Sequence, residues 1–88
     1  MAMGRYSVQT KLSPEEVIEK AKAYFGEGGT GLEITNEAPC CISFEGSGGF
    51  ISVTVDAGEE EETEPTEVEL LTREWIFDVK QFMKVISK

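Results

Sequence analysis

Every strand-like run in this chain is apolar on one side and polar on the other. From Arg5 to Leu12, the side chains of Tyr6, Val8, Thr10 and Leu12 alternate with Arg5, Ser7, Gln9 and Lys11. Side chains on a strand point to opposite faces with a period of two, so this run predicts a strand with one wet face. The alternation returns with Leu32 and Ile34, and again with Cys40, Ile42 and Phe44. It recurs with Ile51, Val53, Val55 and Ala57, and then with Val68, Leu70 and Thr72. Strands of this kind suit an antiparallel sheet with one face packed and one solvated.

Two segments change the period. Ser13-Pro14-Glu15-Glu16 reads as a helix start: Ser13 caps, Pro14 suits the first turn and Glu16 stands where a capping box needs it. Val17, Ile18, Ala21, Tyr24 and Phe25 then recur at spacings of three and four, and Gly26, Gly28, Gly29 and Gly31 end the helix. In the tail from Glu74 to Lys88, the residues Trp75, Ile76, Val79, Phe82, Met83 and Ile86 share a helical face. Asp78, Lys80, Gln81, Lys84 and Lys88 lie opposite. Either Thr72 or Asp78 can cap this helix. The longer helix is expected, because it accounts for Trp75 and Ile76 as core. The order is β-α-β-β-β-β-α, an α+β fold in two layers, with a five-stranded antiparallel sheet carrying both helices on one face. At 88 residues, the chain is expected to form a single domain over residues 1–88.

Composition narrows the function. Eight Lys and Arg against seventeen Asp and Glu give a formal charge of −9, which disfavours affinity for phosphates or anionic lipid. Five of those units lie in Glu59–Glu64, a run expected to be a solvated loop, leaving −4 on the rest. With no histidine, Ser-His-Asp and Cys-His catalysis and imidazole ligation are excluded. No run approaches the ~20 apolar residues of a membrane span, and Met1-Ala2-Met3-Gly4-Arg5 lacks the apolar core of a secretory signal. A cytoplasmic protein with no membrane or nucleic-acid partner, cofactor or metal is the expectation. Cys40 and Cys41 are no disulfide framework, since a bridge between neighbours strains the backbone. Cys40 is expected in the core. Cys41 is expected on the outer face as an unactivated thiol, with Glu37 and Glu45 close by in sequence.

The element order resembles the minimal helix-grip unit, the core shared by Bet v 1-like and START-like domains and by each half of the TATA-box-binding protein. Tyr6–Leu12 leading into Ser13-Pro14-Glu15-Glu16-Val17 carries the likeness. So does Glu67-Val68-Glu69-Leu70 leading into the long amphipathic tail. The likeness covers nearly the whole chain and is one of topology. Bet v 1-like proteins insert a helix pair and strands after the first helix, whereas Gly26–Gly31 here leads straight into a strand. The resemblance implies a two-layer domain, and this departure weighs against a large ligand cavity.

Four candidate features remain. Gly26-Glu27-Gly28-Gly29-Thr30-Gly31 spells G-x-G-x-x-G, but it follows a helix and precedes a strand. A dinucleotide site needs the reverse, with phosphate at a helix N-terminus. The consecutive glutamates of Glu59–Glu64 supply charge without the graded ligand spacing of a calcium loop. The outer sheet face combines Arg5, Gln9, Lys11, Ser43, Ser52, Thr54, Glu67, Glu69 and Arg73 with apolar Phe50 and Leu71. Its carboxylates oppose DNA, whereas Phe50, Leu71, Arg5 and Arg73 suit a protein contact or a homodimer. Trp75, Val79, Phe82 and Met83, with Phe44 and Val53, would line any pocket between the C-terminal helix and the sheet. The expectation is a non-enzymatic, self-associating interaction module. The alternative is a binder of small apolar ligands in that pocket.

Overall fold

The structure is a computed structural model and describes residues 3–26, 28–46, 48–56 and 66–87. The acidic run Glu59–Glu64 and Ala57 lie outside the described residues. The elements run β1 (Met3–Thr10), α1 (Pro14–Phe25), β2 (Glu33–Ala38), β3 (Cys41–Gly46), β4 (Gly49–Asp56), β5 (Thr66–Arg73) and α2 (Ile76–Ile86). One five-stranded sheet has the order β1-β5-β4-β3-β2, and every neighbouring pair is antiparallel. This is the α+β layout that the alternating pattern predicts.

The capping box forms as its spacing requires. The Glu16 N–H donates to Ser13 Oγ at 3.2 Å, and the Ser13 N–H donates to Glu16 Oε1 at 2.9 Å. At the far end the chain folds back over its own helix. The N–H groups of Gly29 and Gly31 donate to the Gly26 carbonyl, Thr30 N–H to Tyr24 O, and Leu32 N–H to Phe25 O. A Cβ on Gly29 would overlap the Tyr24 carbonyl oxygen, which is why the turn takes glycine there.

Both helices cover the same face and enclose one continuous core. From α1 come Val17, Ile18, Ala21 and Phe25, and from α2 come Val79, Phe82 and Ile86. The sheet supplies Ile42, Phe44, Ile51, Val53, Val55, Val68 and Leu70. Helix α1 lies chiefly on β3 and β4, and α2 on β1 and β5. The Phe25 ring stands 5.0 Å from Phe82 and 5.5 Å from Phe44, centroid to centroid, so aromatic contacts join both helices to the sheet. Buried threonines finish the polar accounting: Thr72 donates to Phe50 O at 2.9 Å, and Thr10 donates to the Ile86 carbonyl. Among the described residues no buried side-chain oxygen or nitrogen lacks a partner.

Three local expectations are corrected. Cys40 is exposed rather than in the core, because β3 begins at Cys41 and Pro39-Cys40 is the turn between the paired Ala38 and Cys41. Ile34 remains 39% exposed, because β2 is an edge strand and α1 sits mainly over its inner neighbours. The C-terminal helix starts at Ile76, and Thr72 is a buried strand residue rather than a cap. Cross-strand pairing of Thr72 with both Gly4 and Ile51 holds β5 extended to Arg73. Trp75 remains half-buried at the helix start, where its indole N–H donates to Gly46 O at 3.3 Å.

Candidate functional site

Among the described residues no helix or loop covers the face of the sheet away from the helices, and its register sets the side chains in rows. One row runs Met3, Arg73, Phe50, Glu45 and Glu33 across β1, β5, β4, β3 and β2. The next runs Arg5, Leu71, Ser52, Ser43 and Asn36. The candidate interaction residues therefore come together: Arg5 is the cross-strand partner of Leu71, and Phe50 is that of Arg73. Facing partners in adjacent strands stand about 4.5–5.5 Å apart at Cβ, so the four form one patch.

Charge is split across this patch. Arg5 and Arg73 lie on the β1 side of Phe50, and Glu45 and Glu33 lie on the β2 side. A shallow groove of about 380 Å³ runs along the row, lined by Glu33, Glu45, Gly46, Gly48, Gly49, Phe50 and Arg73. Arg73 also engages neighbours within its own chain. Close approach of the strand ends shapes the groove: a Cβ on Gly49 would overlap the Arg73 carbonyl oxygen and lie 2.7 Å from Glu74 Cβ. The opposite end of the face carries three carboxylates, Asp56, Glu67 and Glu69, among neutral Gln9, Ser7 and Thr54. Asp56 pairs with Glu67, Thr54 pairs with Glu69, and the four line a cleft of about 310 Å³. Among the described residues no three His, Cys, Asp or Glu side chains gather where they could hold a metal ion.

A third groove, about 610 Å³, opens between α1 and the end of β2, lined by Glu15, Ile18, Glu19, Glu37, Ala38 and Pro39. A bulge between Ile34 and Asn36 shifts the register of β2, so that Glu37 faces Ile42 on the helix side. There Lys22 Nζ donates to Glu37 Oε2 at 3.1 Å, and Glu19 lies 3.9 Å away. The hydrogen bond and charge of Glu37 hold the Lys22 ammonium above its ordinary pKa.

The other singled-out residues fall as follows. Phe44, Val53, Val79 and Phe82 are buried, while Trp75 and Met83 are half-buried against the same core. Four of the six residues placed around an apolar pocket thus fill the interior. The N–H groups of Gly29, Thr30, Gly31 and Leu32 donate to the carbonyls of Tyr24, Phe25 and the capping Gly26, so these amides of the glycine run turn to the end of α1 rather than to a phosphate. Cys41 lies on the outer face opposite Thr54, and its Sγ stands 2.7 Å from Cys40 Sγ. That shared hydrogen bond, then burial and then the neighbouring Cys40 charge, raise the Cys41 thiol above its ordinary pKa.

Three exposed apolar residues escape a sequence reading, among them Val85 at 48% exposed. Met3 is 60% exposed and Phe77 is 71% exposed. Met3 precedes the first alternating residue, although its pairing with Arg73 joins it to the patch. Phe77 stands off the apolar stripe of its helix, and its position outside the three-four spacing was the available signal. No helix among the described residues is long and apolar enough to cross a membrane. Comparison with known protein families, with curated proteins and with solved structures gives no match to this chain.

Proposed function

We propose that this chain is a non-enzymatic interaction module that pairs with a second copy of itself through the sheet face away from the helices, centred on Phe50. The observation that carries this reading is the order Arg73, Phe50, Glu45 along one cross-strand row. Strand β4 is the middle strand of the five. A two-fold axis parallel to β4, lying between two facing sheets, brings Phe50 to its own counterpart. It also brings Arg73 of each copy to Glu45 of the other. An isologous contact must be self-complementary in this way, and unlike charges flanking an apolar centre provide it.

Area sets the strength. With strands about 4.8 Å apart and residues rising about 3.4 Å, the face projects roughly 500 Å² per copy. A pair then buries about 1,000 Å², the lower limit of a specific interface. The same axis brings Asp56 to Asp56, which opposes association at the acidic end. A weak, concentration-dependent dimer is the expectation. Burial of Phe44, Val53, Val79 and Phe82 favours this reading over an apolar-ligand pocket, since a core of this size has little to spare.

Sedimentation equilibrium tests the proposal. The native chain should dimerise at high micromolar concentration, and Phe50→Asp should abolish dimerisation. Arg73→Glu and Glu45→Arg should each weaken the pair, and together should restore it. Asp56→Asn should strengthen it. A strictly monomeric native chain at that concentration would overturn the reading.

A further inference from the structure

The two cysteines carry an independent inference. Pro39-Cys40 is a two-residue turn between Ala38 and Cys41, so Cys40 projects into solvent while Cys41 opens β3 on the outer face. Their sulfurs stand 2.7 Å apart. A reagent that engages one sulfur gains nothing from this proximity, whereas an atom that accepts both gains a chelate.

Geometry selects among such atoms. Disulfides usually join Cα atoms about 4.4–6.8 Å apart, but adjacent Cα atoms stand about 3.8 Å apart, so a direct S–S bond is strained here. One atom inserted between the sulfurs lets them separate and relieves the constraint. Zinc requires at least three protein ligands, and among the described residues no third ligating side chain joins the pair. A trivalent arsenic centre requires only two sulfurs, keeping its remaining substituent.

The geometry points to Cys40 and Cys41 as a bidentate dithiol site for a trivalent arsenical. With an arylarsine oxide, the two S–H bonds and the arsenic–oxygen bond break, and two S–As bonds form. The oxygen leaves with both thiol protons as one water. Arsenic and sulfur keep their oxidation states, so the step needs no oxidant. The raised pKa of Cys41 keeps its thiol protonated at neutral pH. This slows alkylation, which needs thiolate.

Phenylarsine oxide and the full chain test the site, with intact-mass spectrometry in excess monothiol as the readout. The native chain should retain one phenylarsenic group per molecule with loss of one water, and should release it to 2,3-dimercaptopropanol. Losing either sulfur removes the chelate, so Cys40→Ser and Cys41→Ser should each lower retention by about 10²–10⁴-fold. Circular dichroism checks the fold of each variant, and Cys40→Ala provides a second substitution at the exposed position. Failure of the native chain to form the adduct would overturn the inference. Retention by either single variant at the native level would do the same.

Discussion

Replacing Phe82 with alanine separates a packed core from an emptied one. Phe82 is fully buried, with ring centroids 5.0 Å from Phe25 and 5.6 Å from Tyr24. Truncating a buried phenylalanine costs about 3–5 kcal/mol, from lost transfer energy and the cavity left behind. At about 0.05–0.15 kcal/mol per residue, a chain of this length has about 4–13 kcal/mol of stability to lose. Phe82→Ala should therefore remove a large share of it and lower the melting temperature by more than about 12 °C. Phe77→Ala, five positions earlier and 71% exposed, should stay within about 0.5 kcal/mol of the native chain. Urea denaturation followed by circular dichroism measures both. Were Phe82→Ala to cost less than about 1 kcal/mol, the ring would not be gripped by its neighbours. An apolar-ligand cavity beneath α2 would then return as the stronger reading.

Other consequences are as direct. Ser13→Ala removes one half of the capping box and should cost about 1 kcal/mol in chemical denaturation. Gly49→Ala drives a methyl group against the Arg73 carbonyl and Glu74, and thermal unfolding should show about 1–3 kcal/mol of overpacking. Glu37 raises the Lys22 pKa, so the ion pair's stabilisation is complete below the ordinary lysine pKa of about 10.4 and is lost as pH climbs through the raised value. Glu37→Gln should accordingly melt below the native chain at neutral pH, and the gap should close above the lysine range.

What the chain's own pattern discloses, and what it withholds, divides along local and non-local lines. The capping box and the apolar stripes of both helices depend on residues within a few positions of one another, and they are legible. Inward parity is equally legible for Ile42, Phe44, Ile51, Val53, Val68 and Leu70. Cys40 is misplaced because parity has meaning only once the strand's first residue is known, and Pro39-Cys40 is a turn. Ile34 takes the inward face its parity predicts, opposite Phe44, but its exposure is not legible, because its place on an edge strand is not written in neighbouring residues. The candidate patch was legible as a set of residues, but not as an arrangement. Glu45 and Phe50 pair locally across the β3-β4 hairpin, but the register that sets Arg73 beside Phe50 joins β4 to β5 over a longer stretch of chain.

The pairing of β1 with β5 has a consequence for the order in which the molecule assembles. Among the described residues β1 pairs with β5 alone, and α2 must arrive before that half of the core can close. On a ribosome, the β2-β3-β4 meander and its helix α1 emerge with local partners. β1 waits, with Tyr6 and Val8 uncovered, until β5 has been made. Closing so long a loop late makes this a slow-folding topology for its size. The waiting strand is the segment most open to capture by a chaperone or by a neighbouring nascent chain.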